Sequence, residues 1–231
     1  MYLHCINLDD PYPCVNIVVG KQLPSYELQI LSVPQLAYKK ITDIPVEKLP
    51  TEAHLQQVGI MTVRWGLMWM GSILRTGGKV GFGMNYPKWF GEKQNEQIKR
   101  ISEAEIEFEK IRREINKDLP SRLTCIFLAD NTDDGRIHLH NMLFNLSRPY
   151  VVDVSPGLTL KIIKVDSKYF DKYMEEKNPD YIINYWKGVA SNFENYDTWE
   201  YLFEGSINII NESQIDYIKQ FGVFEAPEKP Y

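Results

Sequence analysis

The stretch Thr198-Trp199-Glu200-Tyr201-Leu202-Phe203-Glu204-Gly205 places a carboxylate at the mouth of an aromatic, strand-like run. Alternating aromatic and branched side chains favour a half-buried strand, and Gly205 marks an end or a bulge. A second apolar run, Ser206–Ile210, follows at once. An acid at such a point projects into a cleft from a rigid edge. Chemistry that develops positive charge at a sugar's anomeric carbon leans on one such acid. The plain alternative is a solvated acid opening an edge strand, and it applies equally to Glu200 and Glu204. The segment alone therefore fixes no function.

Around this stretch lie 231 residues, enough for one good-sized domain. Hydrophobic residues make up 44% and charged residues 25%, the balance of an ordinary globular chain. No apolar run approaches the ~20 residues that span a bilayer, so no membrane partner is expected. The N-terminus Met1-Tyr2-Leu3-His4-Cys5 lacks a basic stretch followed by a long apolar one, which argues against a signal peptide and for a cytoplasmic protein. Cys5, Cys14 and Cys125 form no C-x-x-C pair and read as reduced thiols. The net charge of −5 is uneven. Residues 60–100 carry seven basic residues against two acidic ones, with Trp65, Trp69, Phe82, Tyr86, Trp89 and Phe90 among them. This is the one segment suited to an anionic macromolecular partner, protein or nucleic acid. For residues 63–75 a core helix face explains the aromatics slightly better. For 79–93 a recognition surface does.

Residues 1–8 read as a buried strand ending in the turn Asp9-Asp10-Pro11. Six prolines between residues 11 and 58 predict irregular structure, with Thr51 able to cap a short helix. A helix over 63–74 ends at Gly77-Gly78. The run Gly77–Gly83 has glycines and a lysine but not the spacing of a phosphate-binding loop. Glu92–Lys117 is the clearest helix, with isoleucines and Phe108 at three- to five-residue steps. Ser102 and Glu105 form a capping-box pattern that predicts a fresh start there. Leu123–Ala129, Tyr150–Val154 and Leu158–Val165 read as strands, the last two joined by the turn Ser155-Pro156-Gly157. Ser167–Glu176 and Tyr181–Gly188 read as short helices, and residues 213–231 as a further element and a proline-rich tail.

Three segments now stand out: His4 on the first strand, Pro120–Asp130 in the middle, and Trp199–Gly205 near the end. Their order resembles the ADP-ribosyltransferase superfamily, and within it the small bacterial and phage proteins of His-Tyr-Glu type. Cys125-Ile126-Phe127-Leu128-Ala129-Asp130 is similar to the G-I-Y-F-A-D strand of poly(ADP-ribose) polymerases. Asn184-Tyr185-Trp186-Lys187-Gly188 is similar to the Tyr-Trp-x-Gly feature of the bacterial group. The resemblance covers residues 1–10 and 118–210. It implies one α+β domain over 1–231, with two packed, mainly antiparallel sheets around an NAD cleft and an inserted helical, Gly-aromatic region at about 50–118. It implies a transferase moving ADP-ribose from NAD to a macromolecular acceptor without a metal, as a bacterial or phage effector would. His4 takes the place of the histidine that holds the NAD ribose, and Glu200 that of the catalytic glutamate, with Glu204 the fallback. Phe127 stands where the family has tyrosine, so stacking survives and the hydroxyl is lost. Ser121 and Arg122, just before that strand, are assigned to the cofactor, with Arg122 on the pyrophosphate.

Two competing arrangements are weaker. Asp130, Asp133, Asp134, His138 and His140 include metal-ligand types, and a strand through His138-Leu139-His140 would set both imidazoles on one face. Asn131–Gly135 reads first as a polar turn. No G-x-S-x-G nucleophile elbow exists. The remaining alternative is an inactive enzyme fold used as a binding module.

Overall fold

The computed structural model describes residues 1–32, 39–52, 62–82, 88–142, 148–193 and 198–224. The fold is α+β, built on a five-stranded antiparallel sheet. Its axis is β7 (Trp199–Ile209), one unbroken strand where the sequence reads as two. Alternation along β7 sends Leu202 into one core and Phe203, Ile207 and Ile209 into another. Gly205 keeps the strand continuous at φ +147°. A Cβ there would lie 2.0 Å from the Leu158 carbonyl oxygen, so only glycine fits.

That carbonyl belongs to β6 (Pro149–Asp166), again one strand with Ser155-Pro156-Gly157 inside it. Register shifts between Pro156 and Thr159, and between Thr159 and Lys161, bend it. Its first half pairs with β1 (Tyr2–Asn7) and its second with β7. β5 (Ile126–Asp130) bridges β1 and β7, and β2 (Gln22–Pro24) adds to the far end of β7. The order is β2-β7-β5-β1-β6, with β6 returning to β7. The expected two packed sheets are thus one sheet that closes on itself, because a long, bulged β6 serves two neighbours. The β1–β5 ladder registers only Tyr2↔Asp130 and Leu3↔Ala129. Beyond it the strands part.

One side of the sheet is covered by α1 (Pro11–Gly20) and α9 (Glu212–Phe221), through Cys14, Ile17, Ile215 and Ile218. The other carries α5 (Glu92–Asn116), α7 (Lys168–Glu176) and α8 (Pro179–Trp186), whose Phe108, Phe170, Tyr173 and Tyr185 pack on Phe127 and Leu202. α4 (Val63–Arg75), capped by Thr62, lies against α5. Gly71 admits Ser102 there, whose Cβ would sit 2.3 Å from a Cβ at 71. Trp65 and Met68 are buried, as the core reading of 63–75 requires.

Several local expectations need correction. Helix α1 occupies ground read as irregular, because Asp10 accepts from the Tyr12 amide and Pro11 falls in the first turn, where its missing N–H costs nothing. α5 runs unbroken through Ser102, which is buried and donates to the Met68 carbonyl (3.1 Å) instead of capping. α3 (Leu49–Glu52) begins ahead of Thr51. Gly81–Phe82 and Lys88–Trp89, labelled β3 and β4, form a hairpin whose tip, 83–87, lies outside the described residues. His138 and His140 sit on helix α6 (Asp133–Met142), where two-residue spacing turns them apart. No helix among the described residues is long and apolar enough to cross a membrane.

The closure at Gly205 gives a direct test. Gly205→Ala adds strain of about 1–3 kcal/mol at this φ, and a backbone clash besides. Urea unfolding should show a loss of at least about 3 kcal/mol. Gly20→Ala, with nothing within 4 Å of its Cβ, should shift stability by no more than about 1 kcal/mol.

Candidate active site

Helical periodicity brings the first buried charge inward. Ile98, Ile101, Ser102, Glu105, Phe108, Glu109 and Arg112 share the buried stripe of α5. Glu105 meets Arg122, which lies in the turn entering β5. The contact is a two-pronged pair, Nε–Oε2 3.0 Å and Nη2–Oε1 3.1 Å. The third arm of the guanidinium, Nη1, donates to Glu200 Oε1 on β7 at 2.9 Å. The same oxygen accepts from the Tyr185 hydroxyl of α8 at 2.6 Å, and Arg122 Nη1 also donates to that hydroxyl. Glu105, Arg122 and Glu200 are 0%, 2% and 1% exposed, so all three are desolvated. The Arg122 cation lies 4.5 Å from the Phe170 ring centre and 5.3 Å from that of Phe127. Arg64 of α4 adds a second cation, 3.3 Å from Glu105.

The titration of Glu200 follows from this setting. Burial pushes its pKa up, but the approach of His138, the Arg122 charge and the Tyr185 hydrogen bond outweigh it and hold the pKa at about 2. Glu200 is a carboxylate at every physiological pH. Burial, and the anion beside it, keep Tyr185 well above the usual phenol range, so it remains a donor. Arg122 stays charged, since Glu105, Tyr185 and Glu200 together overcome its burial.

Glu200 stands at the floor of a cleft of about 780 Å³. His138 Nε2 lies 3.6 Å from its Oε2, an ion-pair distance too long for a hydrogen bond, and that nitrogen has no hydrogen-bond partner among the described residues. Thr198 borders the floor, and Arg64, Lys93 and Arg100 line the cleft. Glu96 and Asp171 line it too, so cations and carboxylates share the wall above the buried Glu200. The cleft size suits a dinucleotide-sized ligand.

The residues singled out in the sequence divide. Glu200 and Arg122 line the cleft. Phe127 and His4 line a separate cavity of about 150 Å³, and Arg64 and Met142 touch both spaces. His4 Nδ1 donates to the Phe127 carbonyl at 2.9 Å, bridging β1 to β5 where their ladder stops. Desolvation lowers its pKa to about 4, leaving it neutral at pH 7. Ser121 lies in neither space: its amide donates to Glu204 Oε1 (3.1 Å) and its hydroxyl to Glu109 Oε2 (2.8 Å). Glu204 belongs to that second buried cluster, paired with Lys161 at 3.2 Å. Asp130 is held by Lys164 and Tyr201. No group of three potential metal ligands occurs among the described residues. The sequence reading gave Arg64 and Tyr185 no role at the site, placed Glu105 in a capping box and grouped His138 with candidate metal ligands. For Glu105 a signal existed, since it falls in step with the apolar positions of α5.

The linkage has a definite sign. The ordinary pKa of Glu200 is 4.5 and its folded value about 2. A depressed carboxylate contributes stability above its unfolded pKa and loses it as pH falls through the folded one. The contribution is about 3 kcal/mol. Urea midpoints for wild type and Glu200→Gln should therefore differ most at pH 7 and converge between pH 4.5 and pH 2. A difference that is constant with pH contradicts the assignment.

The chain matches no curated protein. Residues 84–217, more than half of the chain, match a family model described as "Protein of unknown function (DUF2441)". The matched region holds Glu105, Arg122, His138, Tyr185 and Glu200; of the charged cluster it leaves out Arg64. The chain belongs to the DUF2441 family.

Proposed function

We propose that the protein is an NAD-dependent ADP-ribosyltransferase with Glu200 as its catalytic anion. The observation carrying this reading is a carboxylate held ionised, at a pKa of about 2, on the floor of a cleft bordered by Arg64, Lys93 and Arg100. Oε1 is committed to Arg122 and Tyr185, which fixes the carboxylate in place. Oε2 is the oxygen that faces the ligand and His138. The cations on the cleft wall suit a pyrophosphate.

In the proposed reaction the bond between the ribose anomeric carbon and the nicotinamide nitrogen breaks. Its electron pair leaves with nicotinamide. Positive charge spreads over the sugar carbon and ring oxygen, where a preorganised anion stabilises it. An acceptor nucleophile then bonds to the carbon and gives up its proton to water. With water as acceptor the same steps hydrolyse NAD. The fold detail of the ADP-ribosyltransferase superfamily and the acceptor role of residues 60–100 belong to this proposal. Lys79 and Trp89 are exposed in that segment, as an acceptor surface needs.

A second reading rests on one specific observation. Glu200 is already clamped by Arg122 and Tyr185, so the triad can serve as a structural joint in a binding module. Nicotinamide release from NAD, followed by chromatography with and without cell lysate, separates the two. The enzyme reading predicts release by wild type and a fall of about 10²–10³-fold in Glu200→Gln, with melting curves confirming that the variant folds. Binding of NAD with no release under either condition supports the module. Full activity in Glu200→Gln removes Glu200 from the chemistry.

A further inference from the structure

The cavity of about 150 Å³ opens where β1 and β5 part, and it is distinct from the cleft. Its walls are largely apolar: Ile6, Leu23, Phe127, Leu139 and Met142. A space of this size accepts one six-membered ring. Most polar groups on its wall are already spent on the fold. Thr62 donates to the Leu123 carbonyl and accepts from the Trp65 amide. Ser25 accepts from the Gly205 amide, Asp10 from that of Tyr12, and the Tyr12 hydroxyl meets Gln29.

Arg64 on the wall pairs with Glu105, and two further polar atoms there bear on a ligand. Thr124 is 0% exposed, lines this cavity, and its Oγ1 has no hydrogen-bond partner among the described residues. A buried hydroxyl without a partner is costly, and native folds rarely keep one without a use. The second is His4 Nε2. The Phe127 carbonyl can only accept, so Nδ1 carries the proton in that bond, and Nε2 of the neutral ring is an acceptor. His4 is half-buried and lines the cavity.

We infer that this cavity is a binding site for a small, neutral, planar heterocycle with an amide edge, its N–H donated to His4 Nε2 and its C=O accepting from the Thr124 hydroxyl. A lactam ring of pyrimidine-base type meets these demands. Binding is non-covalent, because burial lifts the Cys5 thiol to about 11 and Cys125 well above its ordinary range. The inference does not depend on the proposed chemistry at Glu200.

The test is calorimetry on the full chain with 2-pyridone, N-methyl-2-pyridone and toluene. 2-Pyridone should bind, and N-methyl-2-pyridone, which lacks the N–H, should bind roughly tenfold more weakly. Thr124→Val keeps the shape and removes the hydroxyl. It should weaken 2-pyridone by roughly tenfold and leave toluene unchanged. Glu200→Gln should bind 2-pyridone as wild type does, whatever its activity. The inference is overturned if 2-pyridone fails to bind, if toluene or N-methyl-2-pyridone binds as tightly, or if Thr124→Val changes nothing. Loss of binding in Glu200→Gln with retention in Thr124→Val also overturns it, by placing the ligand in the cleft.

Discussion

A single guanidinium, Arg122, is held between two buried carboxylates from distant parts of the chain. Glu105 reaches it from α5, and Glu200 from β7. Burying an ion of this size alone is very costly, and only near-ideal geometry offsets that cost. Here each planar arm has a partner within 3.1 Å, and aromatic rings cover the faces. Removing either carboxylate leaves part of a buried charge uncompensated. The triad therefore dictates where α5 lies against the sheet, and it fixes the carboxylate at the floor of the cleft. Fold and site share one joint.

The joint also organises the space around it. Arg64 leans on Glu105 and stands near the faces of Phe127 and Phe170, with ring centres 5.5 and 5.4 Å away. It touches both the polar cleft and the apolar cavity. On one side lie His138 and the free oxygen of Glu200. On the other lie His4 and the Thr124 hydroxyl. The cleft is electrostatic in character and the cavity is shaped by packing. Closure of the sheet makes this division possible, since β1 and β5 separate where β6 has already turned back to β7.

Local patterns made much of the fold legible. The period of α5, the aromatic alternation of β7 and the glycine stop after α4 are all short-range signals. Features set by tertiary contact were not legible. Gly205 reads as an end or a bulge, and the register does shift at its partner Thr159, but that β7 runs on through it depends on the Leu158 carbonyl across the sheet. Ser102 looked like a cap because Gly71, which makes room for it, sits on another helix. At the site, Glu200 was visible from its strand, and Tyr185 from its motif. Glu105 fell in step with the apolar positions of α5, yet neither it nor Arg64 was assigned to the site, because charges on an amphipathic helix read as solvated until a buried partner is known. His4 and Phe127 line the neighbouring cavity and not the cleft of Arg122 and Glu200, because the early end of the β1–β5 ladder opens that space away from Glu200.

The central claim is that His138, Arg122 and Tyr185 hold Glu200 ionised inside the protein. Carbon-13 NMR of glutamate-labelled protein measures this directly, with the Glu200 signal identified by its loss in Glu200→Gln. The account predicts a carboxylate that stays ionised down to a pKa of about 2. A Glu200 signal that titrates at or above the ordinary value of 4.5 would contradict it.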